Sequence, residues 1–174
     1  MIIEGKILSL DLATQSGFCV GAPDNPNPEF GEFLIPPTSD DVGTFGLTFA
    51  GWLKPLIDQH KPELIIFEAP ILPQKTTPIT ARKLMLLAGL TEMMARHRKI
   101  TCREGRASTV KKFFAGKGNA QKADTRAMAK RYGWNVKSDD AADACALWAY
   151  AVCCFAPQHV ERFALGGLNA RPMF

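Results

Sequence analysis

Cysteine is sparse in this chain, and its spacing excludes two classes of protein. The 174 residues include five cysteines, an odd number, and none of them has the C-x-x-C spacing. Disulfide frameworks use an even number of cysteines, and zinc sites add histidines at ligand spacing, whereas the three histidines here are scattered singly. The sequence therefore predicts reduced cysteines inside apolar segments and no zinc site.

Long apolar runs are also absent. The longest run, at 141–156, has 16 residues and includes Asp143, whereas a membrane helix needs about 20 uncharged apolar residues. The amino-terminal segment has Glu4 where a secretory signal would be basic, and no cleavage site follows a hydrophobic stretch. These absences predict a soluble, cytoplasmic protein with no membrane partner.

The composition is that of a globular protein with one core. Hydrophobic residues make up 47% of the chain and charged residues 22%, which excludes intrinsic disorder. At roughly 150 residues per domain, the length predicts one domain. We place this domain at 1–156 and expect the tail at 157–174, with its paired glycines and a proline, to be partly ordered at most.

Acidic residues are almost missing from one segment. Residues 96–131 contain twelve Lys and Arg but only two acids, a net charge of +10, while the whole chain carries +4. A solvated helix face normally interleaves acids with its bases. A basic block of this size is instead typical of proteins that bind nucleic acid, because neutralising phosphates releases counterions.

Hydrophobic periodicity predicts strands first and then strands alternating with helices. Strands are expected at 6–12, 17–22, 30–35, 64–67 and 100–103. Helices are expected at 45–57, from Pro78 to about 96, at 109–115 after a Ser108 N-cap, at about 121–132 and at about 140–155. This order predicts one α/β domain, a mixed sheet with helices on both faces.

Four acids stand out because they interrupt apolar stretches. Asp11 lies inside the first predicted strand, Glu68 ends the fourth, and Asp140 and Asp143 share one face of the last helix. Each acid alone could have a purely structural role, such as capping a helix or interacting favourably with a helix dipole. Together they can bind two divalent cations, Mg²⁺ or Mn²⁺, as in two-metal phosphodiester cleavage. Asp139 could replace or assist Asp140.

Four segments of the chain resemble the RuvC family of Holliday-junction resolvases, in the RNase H-like superfamily. They read ILSLDLATQSG at 7–17, LIIFE at 64–68, ASTVKKFFAGKGNAQK at 107–122 and DAADA at 140–144. The acidic motifs occur in many RNase H-like nucleases, whereas the lysine- and glycine-rich segment before the last motif is more specific to this family. The resemblance implies an RNase H-like sheet of five strands, three antiparallel and then two parallel.

The resemblance also implies a function and a set of site residues. Asp11, Glu68, Asp140 and Asp143 would be the catalytic, metal-binding carboxylates. The residues expected at the DNA are Lys111, Lys112, Lys117, Lys122, Arg82 and Ile71, the last as an apolar wedge between bases. A homodimer, with the helix at 83–96 as its interface, would bind a four-way DNA junction and nick two strands symmetrically, leaving 5′-phosphate ends.

Three other functions are weighed against this one. An RNase H-like nuclease acting on forks, flaps or RNA–DNA hybrids would use the same carboxylates. A non-catalytic DNA-structure binding protein should have lost at least one of the acids. An actin-like phosphotransferase would share the DLATQSG segment at 11–17, but it needs a second domain and a second nucleotide loop for which 174 residues leave no room.

Overall fold

The computed structural model describes residues 1–72 and 74–166, without the side chains of 164–166. The strands are β1 (Ile7–Asp11), β2 (Gln15–Gly21), β3 (Glu29–Leu34), β4 (Leu64–Glu68) and β5 (Thr101–Gly105). The helices are α1 (Val42–His60), α2 (Pro78–His97), α3 (Ala107–Ala115), α4 (Lys122–Arg131) and α5 (Asp139–Phe155), followed by the 3-10 helix Pro157–Gly166.

The strands form one mixed sheet in the order β3-β2-β1-β4-β5. The first three strands pair antiparallel, whereas β1 with β4 and β4 with β5 pair in parallel. Tight turns suffice for the antiparallel pairs, but the parallel pairs need crossover connections, which α1 and α2 supply. This arrangement confirms the predicted fold.

Alternate residues of the central strands face two separate cores. Leu8, Leu10 and Phe67 pack with α1 and α2 on one face of the sheet. Ile7 and Ile66 pack with α5 and the helices around it on the other. Because side chains alternate along a strand, Asp11 and Glu68 lie on the α5 face. The sheet thereby aims both predicted catalytic acids at the same helix.

A hydrogen bond from a buried serine connects α5 to the centre of the sheet. The Ser9 hydroxyl donates to the Ala144 carbonyl oxygen at 2.7 Å, and it also lies 3.2 Å from the Cys19 carbonyl oxygen. Ser9 precedes Asp11 by two residues and so shares its face of β1. This contact fixes the helix directly above the strand that carries Asp11.

Two helix starts differ from the sequence prediction. α3 begins at Ala107, with Arg106 as its N-cap, so the predicted Ser108 cap was wrong. The Arg106 carbonyl oxygen accepts from the Thr109 and Val110 amides, because the chain turns into the helix directly after β5 ends. α1 begins three residues earlier than predicted, since Asp41 caps it by accepting from the Thr44 amide at 2.8 Å.

The chain after α5 packs back onto the domain as far as the structure describes it. Phe163, in the 3-10 helix, is buried in an edge-to-face contact with Trp148. Residues 167–174 of the predicted tail lie outside the described residues, so the division into a domain and a tail stays a prediction. In the described part of the chain, no helix is both long and apolar enough to cross a membrane.

Candidate active site

One row of residues crosses all five strands at the end of β1 and β4. Asp11 pairs with Gly17, which pairs with Glu32 on the edge strand β3. Parallel pairing of β1 with β4 places Glu68 beside Asp11, and Glu68 pairs with Gly105 on β5. Because residues in one row of a sheet point to the same face, the carboxylates of this row lie on the α5 side.

The amino-terminal turn of α5 brings further acids to this row. Ser138 is the N-cap, and its hydroxyl accepts from the Ala141 amide at 3.2 Å. The backbone of Asp140 lies so close to Gly17 that no side chain would fit at position 17. The first turn of α5 therefore rests directly on β2, and its carboxylates face those of the two central strands.

The carboxylates of this site influence one another's pKa values. Burial, and then the charge of Glu68, raises the pKa of Asp11 to about 8. Asp143 and Asp140 add smaller contributions in the same direction. The pKa of Glu68 is raised by its burial and by Asp143. Like charges this close in a partly dry site disfavour their ionised forms unless cations neutralise them.

Two lysines flank the carboxylate group. The charge of Lys111, on α3, lowers the pKa values of Glu68 and Asp143, opposing the effect of burial. Lys122, the first residue of α4, does the same for Asp11, Asp140 and Asp143. The structure thus brings two of the predicted DNA-binding lysines to the predicted catalytic acids.

Asp139 has different neighbours from Asp140. Its Oδ2 lies 3.5 Å from Lys122 Nζ, and its Oδ1 lies 3.1 Å from Arg126 Nε. The charges of Asp140 and Asp143 raise the pKa of Asp11, whereas the charge of Asp139 raises the pKa values of Asp140 and Asp143. Asp139 therefore joins α5 to α4 through ion pairs, while Asp140 faces the central strands.

The other predicted DNA-binding residues are exposed or form ion pairs elsewhere on the surface. Lys112 is exposed at the end of α3, and Lys117 is paired with Asp124 at 3.0 Å. Arg82 is exposed on α2. Ile71, three residues after Glu68, is 66% exposed.

Sequence reasoning missed Glu32, a fifth acid in the same row. The Ser138 hydroxyl donates to Glu32, and Gln15 Nε2 donates to its Oε2 at 2.9 Å, which together hold the pKa of the Glu32 carboxyl below its usual range. Its charge also contributes to the raised pKa of Asp140. Its signal in the sequence is weak, because a glutamate between Gly31 and Phe33 in a short strand is typical of an exposed sheet edge.

The donor set fits hard divalent cations. Carboxylate oxygens are the ligands that Mg²⁺ and Mn²⁺ prefer, and cations would offset the burial and the mutual repulsion that raise these pKa values. Within residues 1–72 and 74–166, no three Asp, Glu, His or Cys side chains are already arranged to hold one ion.

A comparison with protein-family models gives a match over most of the chain. A family model described as crossover junction endodeoxyribonuclease RuvC matches residues 38–154, about two thirds of the chain. The matched segment includes Glu68, Asp140 and Asp143, whereas Asp11 precedes it. A search of curated protein sequences gives no match.

Solved structures share the fold at low sequence identity. The Thermus thermophilus RuvC structure is 18% identical, with a TM-score of 0.67 over 97% of this chain and 99% of that one. The same enzyme in complex with a Holliday junction substrate is 16% identical, with a TM-score of 0.67 over 97% and 99%.

A eukaryotic structure shares the fold as well. The yeast mitochondrial Holliday junction resolvase Ydc2 is 12% identical, with a TM-score of 0.70 over 96% of this chain and 85% of that one. The family match covers most of the chain, and its segment carries three of the four grouped acids. This chain therefore belongs to the RuvC family of crossover junction endodeoxyribonucleases.

Proposed function

We propose that the protein is a divalent-metal-dependent endonuclease that resolves four-way DNA junctions by paired symmetrical nicks, leaving 5′-phosphate ends. One observation carries this proposal. Four carboxylates from β1, β4 and α5 form one electrostatically coupled group in a chain of the RuvC family. A carboxylate group with two adjacent lysines is suited to phosphodiester cleavage, because phosphate transfer needs charge stabilisation and accurate positioning.

Each acid would have a defined part in the reaction. Asp11 and Glu68, at the ends of adjacent parallel strands, would hold the shared central position. Asp140 and Asp143, one helical turn apart, would complete the ligand set from α5, on the face of the sheet that this helix covers. Two bound Mg²⁺ ions, or Mn²⁺ in their place, supply the Lewis acidity that phosphodiester hydrolysis requires. Lys111 and Lys122 would orient the scissile phosphate.

The substrate class is proposed from the family and from the surface beside the site. Ile71 and Leu72 are 66% and 42% exposed in the segment after Glu68. Apolar side chains next to a DNA-cleaving site can insert between bases, and the unstacking is easier where strands already branch. This wedge favours a branched substrate over linear duplex.

Symmetrical nicking requires two active sites, so the proposal includes a homodimer. The outward face of α2 exposes Met85 and Met93, at 51% and 58%. Gly89 lies between them with open space around its α-carbon. Apolar side chains flanking a glycine suit close packing against a second copy of the helix. In sedimentation experiments, the wild-type protein should behave as a dimer. Met85→Lys, which places a charge on this face, should behave as a monomer.

The deciding experiment compares substrates in Mg²⁺. Labelled four-way junction, Y-fork and linear duplex are incubated with the wild-type protein and with Asp143→Asn, which controls for contaminating nuclease. Paired nicks in the junction, absent with Asp143→Asn, would support the proposal. Preferential cutting of forks would support the carboxylate site as the nuclease centre but show that forks, not junctions, are the substrate. Binding without cutting would contradict nuclease activity.

A further inference from the structure

The exposed face of α4 carries an uninterrupted row of cations. Lys122, Arg126 and Lys130 are exposed and spaced four residues apart, so they share one side of the helix and span about 12 Å along its axis. The acid of this helix, Asp124, faces elsewhere, because it accepts from the Gln121 amide and pairs with Lys117. The row therefore has no acidic residue of its own helix within it.

The first two cations of this row are fixed relative to the carboxylate group. Asp139 pairs with both Lys122 and Arg126, which joins the start of α4 to the start of α5. The opposite face of α4 is anchored too, since Thr125 and Ala129 are buried. The row therefore begins at the carboxylate group and extends away from it in a set direction.

Lys130 lies at the far end of the row and has no role in the carboxylate site. Its side chain is exposed, and no acidic residue in the described ranges, 1–72 and 74–166, forms an ion pair with it. Arg131, also exposed, follows it in the same turn. The positive charge at this end of α4 is thus available to a ligand in solution.

We propose that Lys122, Arg126 and Lys130 form a track that binds phosphates along the DNA strand next to the cleavage point. The track's length of about 12 Å corresponds to about three or four nucleotides, at an axial rise of about 3.4 Å each. Lys130 then contacts a phosphate three or four nucleotides from the one at Lys122. This inference rests on the proposed function, because DNA is the ligand in both.

The test measures binding of a four-way junction. It asks whether the effect of removing one side chain depends on the charge of one phosphate. Lys130→Ala is compared with Lys6→Ala, a loss of the same charge on an exposed lysine that precedes β1 at the far end of that strand. Both are made in an Asp143→Asn background so that the junction stays intact. The junctions carry a single neutral methylphosphonate at successive positions from the cleavage point.

The track predicts that Lys130→Ala weakens binding by about tenfold and reduces the salt slope of log K by about one, as expected for one lost phosphate contact. A methylphosphonate three or four nucleotides from the cleavage point weakens binding by the protein that retains Lys130 but has no further effect on Lys130→Ala. Lys130→Arg restores the affinity, because it restores the charge. Lys6→Ala binds the junction as tightly as the Asp143→Asn protein that retains both lysines.

Equal effects of Lys130→Ala and Lys6→Ala, or a loss that is independent of methylphosphonate position, would overturn the track. This outcome is separable from failure of the proposed function. Cleavage by the protein with Asp143 intact is assayed in parallel, and its absence contradicts nuclease activity while the coupling of Lys130 to a phosphate is still measured by binding.

Discussion

The backbone of Asp140 occupies the space that a side chain at position 17 would need. Gly17 is also the residue of β2 that pairs with Asp11. Gly17 thus lies between Asp11 and Asp140, two of the four grouped acids. Because it has no β-carbon, the first turn of α5 can pack directly against the sheet. The distance between the carboxylates of the strand and those of the helix is therefore set by close backbone packing.

Substituting Gly17 should harm activity more than stability. Gly17→Ala must displace the start of α5, an overpacking that costs about 1–3 kcal/mol. Misplacing a reacting group by about 1 Å can reduce a rate by about 100-fold. We expect junction cleavage to fall at least tenfold while the variant stays folded and binds DNA. Cleavage assays and thermal unfolding measure the two effects.

Gly51→Ala is the matched control for this change. A β-carbon at Gly51, on α1, would meet no neighbouring atom, so alanine there should stabilise the helix by about 0.5–1 kcal/mol. Its cleavage rate should equal that of the wild-type protein. Normal cleavage by Gly17→Ala would show that the helix can shift without changing the site.

The raised pKa of Asp11 predicts how the stability of the metal-free protein depends on pH. An unfolded Asp titrates near its ordinary value of 3.8, whereas folded Asp11 titrates at about 8. Between these values the folded state holds a proton that the unfolded state has lost. The free energy of unfolding therefore falls as pH rises from about 4 to 8, and this contribution levels off above 8.

Asp11→Asn should remove this pH dependence. Asparagine resembles the protonated acid, so the variant and the wild-type protein should unfold at similar temperatures near pH 4. Near pH 8 the variant should have the higher Tm, by about 2–4 °C for each kcal/mol that the buried, charged carboxylate costs the folded state. Mg²⁺ should raise the Tm of the wild-type protein more than that of the variant, since binding to the folded state stabilises it. Parallel pH profiles for the two proteins would refute this explanation.

Asp139 and Asp140 offer a comparison between adjacent acids in one helical turn. Both lie at the amino-terminal end of α5, so either substitution by asparagine removes a similar helix-dipole contribution. Asp140→Asn should abolish cleavage, because Asp140 faces Asp11. Asp139→Asn should retain at least about a tenth of the activity, because it loses ion pairs and no metal ligand. The reverse order of rates would assign the metal-binding role to Asp139.

The sequence predicted those parts of the molecule that depend on local patterns. Asp11 and Glu68 could be found because a charged residue at the end of an apolar strand needs a partner or a metal. Parallel pairing of their strands is then expected, because a helix, α1, lies between β3 and β4 and can serve as the crossover. The distinction between Asp139 and Asp140 could not be made, since it depends on where α4 packs. The role of Gly17 was also hidden, because sequence does not show which helix end covers a strand.

Glu32 was missed for the same reason, and its contact with Ser138 leads to a further prediction. The Ser138 hydroxyl donates to Glu32 and accepts from the Ala141 amide, so the acid orients the hydroxyl that caps α5. Glu32→Ala should loosen the first turn of α5 and raise the Mg²⁺ concentration needed for half-maximal cleavage about three- to tenfold. Ser138→Ala should have a similar effect, since losing an N-cap costs about 1 kcal/mol.

Two further variants separate the hydrogen bond of Glu32 from its charge. Glu32→Gln keeps an oxygen acceptor for Ser138 and removes the negative charge, so it should cleave within about twofold of the wild-type rate. The double variant of Glu32→Ala with Ser138→Ala should be no worse than either single change, because both remove the same contact. Asp24→Ala, an exposed acid in the turn before the same strand, is the control for a lost surface charge. If Glu32→Gln were as impaired as Glu32→Ala, the charge of Glu32 would attract the metal and the capping contact would be secondary.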